Sequence, residues 1–172
     1  TDYKHTGEIS TDQLKSLGIE YSLIGHYERV RDFNENPTIV NSKLIAALDA
    51  NIFPILCFGE GIEDDYRESL PRMLDRYLKD INNIEFIIFA YEPIYAIGTG
   101  TLPTTEKIEE VTSFIGKYLE DKYHKKPVLL YGGSIDDSNV KDIINIPTID
   151  GVLLGDISSD ISVVEKVVEE IN

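Results

Sequence analysis

The chain has 172 residues, 42% of them apolar, enough for one ordinary domain with its own core over residues 1–172. Its 31 acidic residues outnumber 16 basic ones, and the formal charge of −15 repels nucleic acid and anionic membrane surfaces, so an anionic ligand has to be held by local donors. The single cysteine, Cys57, excludes an internal disulfide framework, and no apolar stretch approaches the ~20 residues of a membrane span, so a cytoplasmic chain with no membrane partner is expected.

The opening TDYKHTGEIS lacks the charged and apolar regions of a signal peptide. The first apolar run, SLIGH at 22–26, reads as a buried strand. Pro37 can begin a helix over 37–50. The second strand, FPILCFG at 53–59, holds Cys57 within its apolar run, where a thiol is structural rather than reactive, and ends against Glu60. Helical periodicity returns over 62–80, and Pro71 inside it predicts a division into two pieces. The third strand is EFIIFAYEP at 85–93. A helix over 104–122 comes next, with Thr104 as its cap and Glu106 in its first turn. PVLLYGG at 127–133 and GVLLG at 151–155 complete the strands, with helices at 136–144 and 160–171, the last capped by Asp160.

Strand and helix alternate throughout. A parallel pair needs a connection long enough to return to the same end of the sheet, so the alternation predicts an α/β fold of five parallel β/α units. Sites in such folds lie at the carboxyl ends of the strands, whether the sheet is open or rolled into a barrel. His26, Glu60, Glu92, the pair Gly132 and Gly133, and Gly155 all occupy that rim.

Glu92 comes after the apolar run FIIFAY, so desolvation is expected to raise its pKa toward the range of a general base. A strand-end carboxylate alone is more often simply solvated, but the residues next to Glu92 are unusual. Pro93 stiffens one end of the segment 93–100 while Gly98 and Gly100 free the other, the combination of a lid that moves about its ends. His26 reads as either a satisfied structural histidine or a partner of Glu92 on the shared rim. Glu28 and Arg29, just beyond it, could orient a site group or pair with other charges. The glycine-bearing turns YGGSI (131–135) and LGDIS (154–158) can point backbone N–H groups at a phosphate.

Ile24-Gly25-His26 followed by Glu28-Arg29, AYEPIYAIGTG at 90–100, YGGSI and GVLLG, in this order and spacing, resemble the signatures of the triosephosphate isomerase family. HTGEIS at 5–10 resembles the segment before that family's fourth strand, and LCFGE at 56–60 the end of its fifth. The resemblance implies an incomplete TIM (β/α)8 barrel whose five units correspond to strands 4 to 8. It also implies association with the missing amino-terminal units or with another copy to cover the open sheet edges. The implied activity is the interconversion of dihydroxyacetone phosphate and glyceraldehyde 3-phosphate in glycolysis and gluconeogenesis, with no metal or organic cofactor.

In the division of labour well known for this family, Glu92 is the base, His26 as neutral imidazole polarises the carbonyl oxygen, and Glu28 supports the site. Pro93, Ile94, Tyr95, Ala96, Ile97, Gly98 and Thr99 form the lid over the phosphate. Gly98, Ser134 and Gly155 offer it N–H groups, with Asp156 beside them. The chain departs from the family pattern at Tyr27, usually serine, at Tyr95, usually tryptophan, and at Asp156, usually glycine. It also lacks the first-strand asparagine-x-lysine, and losing that lysine costs on the order of 10² to 10⁴ in rate. A catalytically silent relative that binds a phosphorylated ligand or serves as an assembly subunit is the alternative.

Overall fold

A computed structural model describes residues 6–99 and 101–171. His5 of the HTGEIS segment and Gly100 at the far end of the expected lid therefore lie outside the described residues. The elements run α1 (Thr11–Ser16), β1 (Tyr21–Ile24), α2 (Tyr27–Phe33), α3 (Pro37–Asp49), β2 (Phe53–Phe58), α4 (Tyr66–Tyr77) and β3 (Ile88–Tyr91). After these come α5 (Thr105–Tyr123), β4 (Val128–Gly132), α6 (Val140–Ile144), β5 (Gly151–Leu153) and α7 (Ile161–Ile171). Two 3₁₀ turns, Ile94–Ala96 and Asp156–Ser159, lie after β3 and β5.

The strands form one parallel sheet among the described residues, in the order β1-β2-β3-β4-β5. Each strand pairs with its predecessor, so every crossover advances in the same direction. Because such crossovers are right-handed, the helices fall on one face of the sheet, as in a barrel wall, whereas a doubly wound sheet reverses order and carries helices on both faces. The register separates the two faces. Ile24, Leu56, Phe89 and Leu129 align across four strands and are buried beneath Val40 and Leu44 of α3, Leu70 and Leu74 of α4, and Ile108, Val111 and Ile115 of α5. The alternate row, Leu23, Ile55, Ile88 and Val128, faces the other way, and its outer members Leu23 and Val128 remain 52% and 44% exposed. At the foot of that open face Tyr21 stacks on Phe53, with ring centroids 5.2 Å apart, and Phe53 leans on Phe86. The partial barrel is thus packed on its helical side and open on its concave side.

Local chemistry sets the helix starts. Asn36 Oδ1 accepts from the N–H groups of Thr38 and Ile39 ahead of Pro37, Thr104 caps α5 through the Lys107 N–H, and Asp160 accepts from the Ser162 N–H. Pro71 does not divide its helix as expected. Asp65 caps α4 so that it begins at Tyr66, four residues later than the periodicity suggested. The ring therefore opposes only the Arg67 carbonyl of the first turn, while fully buried Leu70 and Leu74 hold the helix to the sheet. Two short helices, α1 and α2, add to the expected set. α1 has no fully buried residue, Leu14 packing partly against the core, and it carries a reciprocal cap between Ser10 and Gln13, for which the spacing Ser-x-x-Gln is the available signal. α2 is too short to show periodicity.

Two truncations test which face is packed. Leu44→Ala is expected to cost about 2–5 kcal/mol in urea unfolding, and Leu23→Ala on the open face less than about 1 kcal/mol. Equal losses would contradict the one-sided core.

Candidate active site

β3 ends at Tyr91, and Glu92 continues its ladder by one bond, its N–H donating to the Phe58 carbonyl at 2.8 Å. The strand ends converge tightly here. A Cβ at Gly59 would lie 1.8 Å from the Glu92 carbonyl oxygen, and one at Gly132 would lie 2.8 Å from Glu92 Cγ and Oε1. Gly59 thus makes room for the Glu92 backbone at the end of β2, and Gly132 for its side chain at the end of β4. Gly132, read from the sequence as part of a phosphate turn, thus also makes room for the carboxylate. Sequence reasoning missed Gly59, although its place at the end of an apolar run matches that of Gly132.

Glu92 is 7% exposed. Its Oε1 stands 3.7 Å from His26 Nε2, and its buried Oε2 has no hydrogen-bond partner of normal geometry among the described residues. Burial raises its pKa above the ordinary carboxylate value, opposed in part by the Cys57 thiol and by His26 and reinforced by the charge of Glu28. Cys57 is itself buried, and burial together with the Glu92 charge pushes its thiol far up, so it is inert, as its apolar run suggested. Behind the carboxylate a cavity of about 50 Å³ is walled by Gly25, Tyr27, Cys57, Met73, Tyr77 and Ile94. Tyr27 therefore belongs to the lining of the Glu92 pocket.

His26 does not end its strand directly. β1 stops at Ile24, and Gly25 turns the chain at φ +79°, where a Cβ would stand 3.1 Å from the Cys57 carbonyl oxygen. His26 then occupies the N-cap of α2, its carbonyl accepting from the N–H groups of Arg29 and Val30. Glu28, in the first turn, holds Oε2 at 3.8 Å from His26 Nδ1. Arg29 turns away from the site, its guanidinium bonded to Glu35 at 2.7 Å and stacked on Phe33. Burial pushes Glu35 up, but its bonds to Lys43 and Arg29 outweigh that and hold its carboxyl below the usual range. This pair of bonds ties α2 to α3 and so fixes the helix that presents His26.

Glu60 is not brought to Glu92. It is buried, its pKa is raised by that burial, and its Oε1 accepts from the Tyr91 hydroxyl at 2.9 Å on the helical side of β3. Its backbone instead holds the segment after β3: the Ile94 N–H donates to the Glu60 carbonyl at 3.0 Å. Pro93 leads into the turn Ile94–Ala96, buried Ala96 accepts from Ser134 Oγ at 2.8 Å, and Thr99 Oγ1 closes back on the Tyr95 carbonyl. Gly98 takes φ +63°, the left-handed conformation its glycine was read to permit. Ile97 joins these two parts. The Gly98 and Gly155 N–H groups make no hydrogen bond among the described residues, and Gly155 stands at the head of the turn that begins with exposed Asp156. His26, Glu92, Ser134 and Gly155 therefore come from four strand ends onto one rim.

The family model of triosephosphate isomerase matches residues 3–171. Among curated proteins, the triosephosphate isomerase of Thermodesulfovibrio yellowstonii is 39% identical over 163 residues, covering 91% of this chain and 66% of that protein. The one from Francisella tularensis subsp. mediasiatica is 37% identical over 163 residues, covering 90% and 64%. The one from Francisella philomiragia subsp. philomiragia is 34% identical over 177 residues, covering 98% and 70%. The chain thus spans about two thirds of the length of these relatives.

The raised pKa of Glu92 makes a stability prediction of definite sign. The folded chain holds the Glu92 proton more tightly than the unfolded chain, so this stabilisation is complete below the unfolded value of about 4.3 and is lost as pH rises through the raised folded value. Glu92→Gln, with no charge to desolvate, is expected to raise the melting temperature at about pH 8 and to gain far less at about pH 4. Equal gains at both pH values in thermal melts would mean that the carboxylate charge is not what destabilises the fold.

Proposed function

The chain belongs to the triosephosphate isomerase family, and from that premise we propose that it carries the base and the electrophile of an aldose-ketose isomerase acting on dihydroxyacetone phosphate and glyceraldehyde 3-phosphate. The observation that carries the reading is Glu92 itself, a buried carboxylate with one oxygen unpartnered and the other facing His26 at 3.7 Å. A desolvated carboxylate of raised pKa is a stronger base than a solvated one and is matched to taking a proton from carbon.

In this mechanism Glu92 removes a proton from the hydroxymethyl carbon of the ketose, and the C–H bonding pair forms the double bond of an enediolate. His26 Nε2 donates to the carbonyl oxygen, stabilising the negative charge that develops there. The hydroxyl proton moves to the neighbouring oxygen, and Glu92 returns its proton to the adjacent carbon to complete the aldose. Glu28, close to His26 Nδ1, supports the orientation of the imidazole. The phosphate is held by N–H groups of Gly98, Ser134 and Gly155, with Asp156 at the edge of that cradle. The lid from Pro93 to Thr99 excludes water, because an exposed enediolate phosphate tends to expel phosphate.

The open concave face, with Leu23 and Val128 uncovered, is where further β/α units would pack, supplied by a separate amino-terminal portion or by a second copy. Those units would also bring the first-strand lysine that the family resemblance implies for the substrate. A catalytically silent, phosphate-binding relative is the competing reading because Asp156 sets a carboxylate beside the phosphate cradle.

A coupled assay on the chain alone, and on the chain mixed with the remaining amino-terminal third of a relative, tests the proposal. Turnover is expected in at least one arm, reduced on the order of 10²- to 10⁴-fold by Glu92→Gln and by a comparable factor by His26→Gln. Binding of a triose phosphate analogue without turnover in either arm would favour the silent relative. Turnover unaffected by Glu92→Gln would refute the assignment of the base.

A further inference from the structure

A groove of about 640 Å³ opens between the α2–α3 junction and α4, on the helical side of the sheet. Met73 and Tyr77 form its apolar floor, and Asn34, Asn36, Arg72 and Arg76 supply its polar edge. Its volume falls within the ~300–1,000 Å³ typical of sites for small organic ligands.

The charges at this edge are unlike those of the molecule as a whole. Arg76 is exposed and has no ion pair among the described residues, and the salt-bridge partner of Arg72 is Glu68, at 3.7 Å with both side chains exposed. The carboxylate that lines the groove, Glu35, is already bonded by Arg29 and Lys43. The Asn36 side-chain oxygen is occupied in capping α3, which leaves its amide N–H groups to donate. A chain of formal charge −15 therefore presents two weakly engaged guanidinium groups over an aromatic and thioether floor. Guanidinium groups match the geometry of phosphate and carboxylate oxygens, and the floor accepts an apolar body.

We propose that this groove is a second binding site, distinct from the His26–Glu92 rim, for a small organic oxyanion whose head group lies on Arg72 and Arg76 and whose apolar part covers Met73 and Tyr77. Val30, Met73 and Tyr77 line both the groove and the cavity behind Glu92, so a ligand in the groove rests against the wall of the catalytic carboxylate's own pocket. The site stands on cavity shape and charge and does not require that the chain turn over a triose phosphate.

The probe is phenyl phosphate, titrated calorimetrically into the whole chain, with benzoate as the carboxylate counterpart. Phenyl phosphate is expected to bind at one site and more tightly than benzoate. The double variant Arg72→Gln/Arg76→Gln is expected to weaken it at least about tenfold, about 1.4 kcal/mol, with Arg76→Lys in between. Arg31→Gln, at an exposed arginine paired with Asp32 elsewhere on the surface, leaves the affinity unchanged. No binding up to about 10 mM, weaker than any built site for a ligand of this size, overturns the proposal. Binding that survives the double variant does so too, because the probe then sits elsewhere, as on the Gly155 rim.

Discussion

Winding in a single direction is the constraint on which the rest of this molecule depends. Each strand lies beside its predecessor and each crossover has the same hand, so all carboxyl ends reach one rim and the long helices share one face. Residues far apart in sequence then reach the same rim without any long-range element dedicated to bringing them together: His26 leaves β1, Glu92 leaves β3, Ser134 leaves β4 and Gly155 leaves β5. The same winding concentrates the core between sheet and helices and leaves the concave row from Leu23 to Val128 for other surfaces to cover.

Two buried glutamates at neighbouring strand ends show how environment divides labour. Glu60 has a hydroxyl partner in Tyr91 on the helical side, and its backbone carbonyl accepts from Ile94 after β3. Glu92, one strand over, has no such partner among the described residues; its side chain lies against Gly132 and faces an imidazole just beyond hydrogen-bond range. Both are raised by burial and both keep one oxygen without a hydrogen-bond partner among the described residues, but only Glu92 turns its other oxygen toward His26, at 3.7 Å. Its local instability is the counterpart of its basicity, since the energy that disfavours its charge in the fold also favours proton capture.

The order of strands and helices was legible in the sequence because apolar runs and amphipathic stretches alternate cleanly. Pro37, Thr104 and Asp160 announced helix starts that the hydrogen bonds bear out. Pro71 misled because propensity speaks of a helix interior, whereas Asp65 moved the helix start until the proline stood near it. The rim position of His26 and Glu92 could be read from strand ends, but the α2 cap beneath His26 could not, since seven residues with no buried member carry no periodic signal. The roles of Gly59 and Gly132 were hidden for a different reason. A glycine that grants conformational freedom and one that grants space look alike in sequence, and only the neighbour across the strand distinguishes them.

The bond between Ser134 and the Ala96 carbonyl carries a mechanical consequence. With Ile94 held to Glu60 and Ala96 held to Ser134, the first turn of the segment proposed as a lid is fastened to two strand ends. Any swing of this segment about Pro93 in the proposed cycle would have to release or carry along those two fastenings. A hydrogen bond of this kind contributes about 1 kcal/mol, so losing the Ser134 fastening would change the share of time spent in the swung position by roughly fivefold. The serine of the glycine turn would therefore tune the tempo of the lid from outside it.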